Sequence, residues 1–255
     1  MKKVLLRAAL VVLVLVLALA ALLAVTFLGR RPVKDGEEIS DIRIVADGGM
    51  SSAALVPLGR NQFALIDAGN DTQATAILAE LMRRRLTADA VRIIFLTHGH
   101  PDHLGGVLKF PNAEVMALEA EVPLVEGRVG AKGPATRLFP VSPTNIHVGR
   151  ALKDGDSITI GIATFRVYAM PGHTAGSAAY LVNNVLFVGD SADVTSGGVL
   201  QGSPWLFSDS QAQNRASLAA LAARLTKEGV AVKAIVPAHS GALQDGLPQL
   251  EALAR

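Results

Sequence analysis

The chain has 255 residues and no cysteine, which excludes disulfide bonds, cysteine-ligated zinc and thiol catalysis. Its formal charge of +2 misrepresents the body of the protein, because residues 1–34 hold six of the 24 cationic residues and no acidic one. The remaining residues carry 18 cations against 22 acids, so the sequence predicts no basic surface for nucleic acid.

The first long feature is an apolar run at residues 8–28, interrupted only by Thr26. As a helix rising about 1.5 Å per residue it would be about 31 Å long, which matches the hydrocarbon core of a bilayer. The run predicts one N-terminal transmembrane helix that anchors the protein. A cleaved signal peptide is the alternative, since Ala18-Leu19-Ala20 resembles a cleavage site. We expect the rest of the chain outside the cytoplasm, periplasmic or extracellular, and secreted if the segment is cleaved.

The domain organisation follows from a linker-like stretch rich in charge, Gly and Pro. Residues 1–34 are predicted to form the membrane anchor or signal segment with its linker, and residues 35–255 one globular domain. Short apolar runs bounded by turn residues predict the first strands, at residues 42–45, 53–56 and 63–66. A helix is predicted from Asp71 or Thr72 to Arg85.

The rest of the domain continues this alternation of strands and helices. Residues 126–150 have weak periodicity, and their cations, Arg128, Lys132 and Arg137, could meet an anionic substrate or remain solvated loop charges. Strands are predicted at residues 91–96, 113–118, 157–160, 163–170, 178–182, 185–188 and 231–236, and helices at 119–125, 209–227 and 247–254. Two halves that each run strands, helix, strand predict an α+β fold, with two sheets face to face and helices outside.

Four potential metal ligands lie within six residues after the strand at 91–96: His98, His100, Asp102 and His103. Polar residues at the carboxyl end of a strand are where α/β folds place binding sites. His98 and His100 share a face of an extended chain. Asp102 and His103 precede a plausible helix start and can turn toward a second point. One short loop could therefore supply ligands to two adjacent ions.

Three further polar residues follow apolar strands and adjoin a Gly or Pro: His173, Asp190 and His239. His147 lies away from any such motif and is not predicted to be a ligand. Two closely spaced ions need about three or four protein ligands each.

The seven candidates divide into two sets and a bridge. One all-nitrogen site would consist of His98, His100 and His173. The other would consist of Asp102, His103 and His239. Asp190 could bridge the two ions through its two carboxylate oxygens.

In order and spacing these motifs resemble the metallo-β-lactamase superfamily, over about residues 42–241. The resemblance implies a four-layer αββα sandwich and a site for two zinc ions, with iron or manganese as other possible metals. Asp67 matches a family aspartate near the metal site, whose implied role is to orient ligands. Asp190 is similar to the aspartate of the glyoxalase II and lactonase branches. Residues 191–194 lack the tyrosine that the lactonases carry there.

The leading hypothesis is a binuclear zinc-dependent hydrolase of a small carboxylic ester, thioester, lactone or amide. A metal-bridging hydroxide would attack the carbonyl, and Asp102 would orient it and accept its proton as the catalytic residue. The expected partners are a small-molecule substrate and, through the N-terminal helix, a membrane. Three alternatives stay open: a mononuclear iron dioxygenase of the same fold, a membrane-targeted β-lactamase, and a membrane-anchored binding protein with a vestigial site. The sequence leaves the oligomeric state undetermined.

Overall fold

The computed structural model of the chain describes residues 2–48 and 51–253. Its centre consists of two β-sheets. The first contains seven strands hydrogen-bonded in chain order: β1 (Glu38–Ile39), β2 (Ile42–Asp47), β3 (Ser51–Gly59), β4 (Gln62–Ile66), β5 (Val91–Phe95), β6 (Glu114–Leu118) and β7 (Arg150–Leu152). The second contains six: β8 (Ser157–Ile160), β9 (Ala163–Ala169), β10 (Ala178–Val182), β11 (Val185–Gly189), β14 (Ala234–Pro237) and β15 (Leu243–Gln244). Its order is β15-β14-β11-β10-β9-β8, and β12 (Ala192–Val194) pairs separately with β13 (Leu200–Gly202).

Along the chain, α-helices precede, separate and follow these strands: α1 (Lys2–Phe27), α2 (Thr75–Arg83), α3 (Pro101–Leu104), α4 (Val122–Val125), α5 (Gln211–Lys227) and α6 (Leu247–Leu253). Single turns of 3-10 helix are added at Ala88–Ala90, Val107–Lys109, Glu119–Glu121, Thr136–Leu138 and Trp205–Phe207.

Alternation along the strands explains the layers. In β5, Ile93 and Phe95 face the core between the sheets, whereas Ile94 packs with Ile77 and Leu81 of α2 on the outer side. On the other sheet, leucines of α5 cover the outer face: Leu218, Leu221 and Leu225. The predicted four-layer αββα sandwich is therefore confirmed.

Aromatic side chains join the two sheets near the end of β5. The Phe95 and Phe165 rings stack with centroids 4.3 Å apart, and the Tyr180 ring lies 5.2 Å from Phe95. Such pairs add about 0.5–1.5 kcal/mol beyond their buried area. The buried Tyr180 hydroxyl donates to the Leu96 carbonyl at 2.7 Å, so that its polar atom is satisfied. The backbone just before the candidate ligand loop is thereby fixed to the opposite sheet.

Several element boundaries differ from the sequence prediction. The helix predicted from residue 71 begins at Thr75, because Ala74 has a left-handed φ of 51° and the Asp71 carboxylate accepts from the backbone N–H groups of Gln73 and Thr75. The strand predicted from residue 231 begins at Ala234. The sequence did not predict five short strands, β1, β7, β12, β13 and β15. Each is defined by its backbone hydrogen bonds to a neighbouring strand and not by a pattern in its own residues. Residue 254, in the predicted terminal helix, lies outside the described residues.

Helix α1 occupies the stretch predicted to cross a membrane. Within residues 2–48 and 51–253, however, no helix is both long enough and apolar enough to span a bilayer. The predicted transmembrane anchor is therefore not supported.

The stretch predicted as a linker contacts the body of the protein. Arg30 forms an isolated β-bridge with Thr195, and its guanidinium lies 2.9 Å from the buried Asp193 carboxylate. The Arg31 backbone N–H donates to the Val194 carbonyl at 2.8 Å. These contacts hold residues 30–31 beside β12. A domain boundary at residue 35 stays a prediction.

Candidate active site

The seven predicted ligands come together at one edge of the sandwich, where strands end: His98, His100, Asp102, His103, His173, Asp190 and His239. The β4–β5 and β11–β14 pairs are parallel, so their carboxyl ends meet. His98 follows β5, Asp190 follows β11 and His239 follows β14, while His173 lies in the β9–β10 loop. Residues far apart in sequence thus share one site.

Two glycines permit the close approach of backbones around this site. A Cβ on Gly99 would lie 2.8 Å from the Val125 backbone nitrogen, so that no side chain fits between the ligand loop and α4. Gly189 has a left-handed φ of 53°, and a Cβ there would lie 2.5 Å from the Thr97 hydroxyl. Both positions require glycine for the loops to bring their ligands together.

The first group consists of His98, His100 and His173. His173 Nε2 lies 3.2 Å from His98 Nε2 and 3.0 Å from His100 Nδ1, and those two nitrogens are 3.1 Å apart. Three nitrogens about 2.0–2.1 Å from one tetrahedral zinc would be about 3.3 Å apart. The separations therefore match those of three ligands of a single ion.

The second group consists of Asp102, His103 and His239. Asp102 Oδ2 lies 3.1 Å from His239 Nε2 and 3.9 Å from His103 Nε2. Asp190 lies between the groups: its Oδ2 is 3.1 Å from His239 Nε2 and 3.5 Å from His173 Nε2. One carboxylate can therefore reach both positions.

Asp67 orients ligands of both groups. Its Oδ2 accepts hydrogen bonds from His103 Nδ1 at 2.8 Å and from the Thr97 hydroxyl at 2.7 Å. Because the Thr97 proton is used on Asp67, its oxygen accepts from His98 Nδ1, 3.1 Å away. His98 and His103 thus both carry a proton on Nδ1 and direct Nε2 toward the site, where its lone pair can bind a metal. Asp67 has an unusual φ of 57°, a conformation more easily adopted by Asp and Asn than by most residues.

Ser208 orients the third histidine. Its hydroxyl donates to the Pro204 carbonyl at 2.7 Å and accepts from His173 Nδ1 at 3.0 Å. His173 Nε2 is therefore left with its lone pair directed at His98 and His100. Nothing in the sequence around Ser208 indicated this role.

Two buried atoms facing the centre, His103 Nε2 and Asp190 Oδ1, form no well-directed hydrogen bond within the described residues, although they lie 3.3 Å apart. Buried polar groups in proteins are almost always satisfied, and each exception requires an explanation. Metal coordination explains both, since each atom is a ligand type for zinc. The donor set, the separations and these two atoms together fit two metal ions.

Burial and charge give the two groups different protonation. Burial lowers the pKa of His173 to about 3 and the pKa of His98 well below its ordinary value. Burial also opposes protonation of His239, but the Asp190 and Asp102 carboxylates outweigh it and raise its pKa to about 10. Burial would raise the Asp102 pKa, yet the neighbouring His103 and His239 lower it to about 2. The first group is therefore neutral, and the second is a set of ion pairs.

Glu121 joins the two loops that carry the first group of ligands, on the side away from the centre. The buried carboxylate accepts from the Gly99 backbone N–H at 2.7 Å, the Thr174 hydroxyl at 2.8 Å and the Gly176 backbone N–H at 2.8 Å. These donors belong to the two loops that carry His98, His100 and His173. Burial raises the Glu121 pKa to about 7, although the three hydrogen bonds oppose the shift. Sequence reasoning missed Glu121, because Glu119 and Glu121 look alike in a short predicted helix.

The remaining residues singled out in the sequence lie away from the metal ligands. His147 is 87% exposed, and its Nδ1 lies 3.4 Å from a carboxylate oxygen of Glu126. Arg128 also pairs with Glu126, its Nε 3.0 Å from Oε2. Arg137 and Lys132 are both exposed.

Comparison with known proteins places the site in a family. Residues 46–239 match the model of the metallo-beta-lactamase superfamily. The hydroxyacylglutathione hydrolase of Photobacterium profundum is 31% identical over 155 residues, which are 59% of this chain and 50% of that protein. A protein of the same name from Yersinia pestis is 31% identical over 141 residues, 55% of this chain and 47% of that protein. The chain thus spans about half the length of the curated relatives it matches.

Solved structures show the same fold. The metallo-β-lactamase MIM-1 from Novosphingobium pentaromativorans superposes with a TM-score of 0.64 at 22% identity, covering 89% of this chain and 87% of that one. A metallo-β-lactamase family protein from Thermus thermophilus gives a TM-score of 0.60 at 23% identity, covering 85% and 79%. The family match spans most of the described body, including all seven candidate ligands. The chain belongs to the metallo-beta-lactamase superfamily.

Proposed function

We propose that the protein is a binuclear zinc-dependent hydrolase of a small carboxylic ester, thioester, lactone or amide. The observation that carries this proposal is the pair of ligand groups with Asp190 between them. Imidazole and carboxylate ligands suit zinc, and also iron or manganese. The relatives' name, hydroxyacylglutathione hydrolase, describes hydrolysis of an acyl compound and supports a carbonyl substrate.

Bound zinc ions would supply a nucleophilic hydroxide near neutral pH and polarise the substrate carbonyl. The protein's own residues fix the geometry of that chemistry. Asp67, Thr97 and Ser208 hold three histidines with their Nε2 atoms aimed inward. Glu121 fastens the loops behind them. Such preorganisation avoids reorienting ligands during the reaction.

Asp102 is the proposed catalytic residue. It is more exposed than Asp190, with 28% of its side chain accessible against 7%. Its lowered pKa, about 2, keeps it anionic at neutral pH, despite burial. With Oδ2 directed at His239, the carboxylate can orient an attacking water and accept a proton that leaves the centre.

A hydrolysis panel with the zinc-loaded protein tests the proposal. A lactone, a thioester, a β-lactam and a phosphodiester would be assayed beside metal analysis of protein purified without added metal. We expect turnover of a carbonyl compound and two ions per chain. Turnover of the phosphodiester alone would refute the carbonyl assignment, and one iron per chain with oxygen consumption would refute the hydrolase. Preference for the β-lactam would narrow the substrate to a cyclic amide.

The location outside the cytoplasm stays a prediction from the N-terminal sequence. It is tested by fractionating cells that make the full chain and sequencing the N-terminus of the product. A start at Met1 in the cytoplasmic fraction would contradict both the exported location and the cleaved signal.

A further inference from the structure

A cavity of about 280 Å³ lies directly beside the metal centre. One wall is the ligand loop itself, with Gly99, His100 and Pro101, and the other comes from α4 and the segment after it. Segment 126–150 was the part of the body whose role the sequence left undetermined. In the structure, residues 127–146 contribute most of the outer wall.

The wall of this cavity is mainly apolar, and its polar members are His100 and four hydroxyl residues, Thr72, Thr136, Ser142 and Thr144. Its main side chains are Leu104, Leu108, Leu124, Val129, Val141 and Ile146, and none of the described residues that form it is Asp, Glu, Lys or Arg. Arg128, Lys132 and Arg137 lie in the same segment but do not form part of the wall. The cavity therefore offers no charge to an anionic substrate group.

The rim of the cavity carries large apolar side chains that solvent reaches. Leu108 is 56% exposed, Val129 49%, Phe139 52% and Val141 57%. A single exposed apolar residue is ordinary, but a group of them around one concave surface marks a binding site. Ligand pockets are typically lined in this way, with a few polar groups at one end. Here the metal centre lies at one end of the cavity, and the hydroxyl residues of the wall are its other polar groups.

The geometry points to an uncharged alkyl chain on the acyl side of the substrate as the occupant of this cavity. Because His100 belongs both to the cavity wall and to the first ligand group, a molecule whose carbonyl lies at the centre can place one of its two substituents at the cavity mouth, and the acyl substituent is assigned to that position. A volume of about 280 Å³ suits a chain of several carbons and is too small for a helix or loop of a partner protein. This inference rests on the proposed function and narrows it to apolar acyl substrates.

A series of thioesters with one thiol and acyl groups from acetyl to octanoyl tests the inference on the zinc-loaded protein. Each methylene that enters the cavity should raise kcat/KM about three- to fourfold until the cavity is filled, mainly through KM. The succinyl thioester should be a poorer substrate than the butanoyl one, since its carboxylate would be buried among apolar side chains.

Substitutions at the rim give the matched comparison. In Val141→Asp and in the milder, isosteric Val141→Thr, the octanoyl-to-acetyl ratio of kcat/KM should fall, at least about tenfold for Asp. Ile162→Asp is the control, because Ile162 is 75% exposed and lies in the turn between β8 and β9. Its ratio should equal that of the wild type.

A binding measurement supplies a readout that does not depend on turnover. Calorimetric titration of the metal-free protein with octan-2-one should detect binding in the wild type and in Ile162→Asp, and none in Val141→Asp. A flat chain-length series, a preference for succinyl, or an unchanged ratio in both Val141 variants would overturn the inference. No turnover of any carbonyl compound would instead overturn the proposed function, whereas turnover without chain preference would overturn only this inference.

Discussion

The two ligand groups of this centre lie side by side and share one loop, yet their chemistry differs. His98, His100 and His173 are buried and neutral, because burial in a region crowded with imidazoles disfavours their protonation and lowers each pKa. Asp102, His103 and His239 form ion pairs, because carboxylates raise the pKa of both histidines. A metal ligand must present a lone pair, so the first group is ready for an ion and the second must release protons first.

This difference follows from what surrounds each group. Glu121 contacts backbone and hydroxyl donors behind the first group and does not point a charge at its histidines. Asp67, Asp102 and Asp190 all face His103. Such a centre can bind one metal ion tightly over a wide pH range, whereas its affinity for the second ion depends on pH. The predictions that follow test that contrast, from the largest expected effect to the smallest.

The largest effect is expected for Asp102→Ala. Loss of the carboxylate that orients water and completes the second group should lower kcat about 10²–10⁴-fold. Metal analysis should show loss of the second ion and retention of the first. Asp154→Ala is the control, since Asp154 is exposed, pairs with Arg224 and lies outside the centre. Equal loss of both ions would contradict the independence of the groups.

Metal content should depend on pH differently in the two groups. The pKa of His239, raised to about 10, means that below this value each ion entering the second group displaces a proton. Its affinity should therefore fall about tenfold per pH unit per displaced proton, which is roughly 100-fold from pH 8 to pH 6 for the His239 proton alone and roughly 10⁴-fold for the His239 and His103 protons together. The pKa of His173, lowered to about 3, leaves no proton to displace there over the same range.

Equilibrium dialysis with zinc at pH 8, 7 and 6 measures this dependence. We expect the number of bound zinc ions to fall from two per chain toward one as the pH decreases, with the remaining ion in the three-histidine group. The variant His100→Ala should then lose its last ion at pH 6. Loss of the three-histidine ion before the other would contradict the assignment.

Asp67→Asn should weaken both groups together. The carboxylate accepts from His103 and the Thr97 hydroxyl on Oδ2 and from the Thr97 backbone N–H on Oδ1, so the amide would place its NH₂ group against one set of these donors. Loss of a partner that orients metal ligands typically costs 10- to 100-fold in metal affinity or activity, and we expect about that reduction in both. Asn tolerates the left-handed backbone, so the fold should persist.

The control for Asp67 is Asp71→Asn, in a carboxylate that caps only the turn before α2. Its zinc affinity should equal that of the wild type when both are measured by competition with a chromophoric chelator. If Asp67→Asn lowered the affinity of the second group alone, the link through Thr97 to His98 would be refuted.

The smallest effect is expected for Glu121→Ala. The substitution leaves three buried donors without a partner, which should reduce the free energy of unfolding by about 1–3 kcal/mol. Zinc in the first group should be held less tightly, while the second group is unchanged. Denaturant unfolding and zinc titration measure the two quantities. Glu119→Ala, at an exposed position in the same turn, should change neither.

The candidate ligands could be predicted because each lies beside a recognisable strand end. The H-x-H-x-D-H spacing, the Gly-His of residues 172–173, and Asp190 after a buried strand are local signals that need no knowledge of the fold. Periodicity likewise predicted β5 and α5, where apolar side chains recur at two-residue and three- to four-residue spacing.

Glu121 and Ser208 could not be predicted in the same way. The Glu121 carboxylate meets Gly176, 55 residues later, and Ser208 meets His173, 35 residues earlier. Neither residue lies in a motif, and its role depends on which donors happen to face it. The pattern at residues 8–28 was strong, yet it led to a membrane span that the described helix does not support.

The sequence by itself determined the ligand types, their order along the chain and the layers of the sandwich, because these depend on spacing and hydrophobic alternation within short stretches. The tertiary structure decided which ligands share an ion, since distances such as that between His98 and His173 arise only when two sheets meet. It also decided that one group is neutral and the other charged, because burial and the directions of three carboxylates set those pKa values. The tertiary structure also decided the mainly apolar cavity beside His100. Its walls come from separate segments of the chain, and no local sequence pattern indicates that these segments lie side by side.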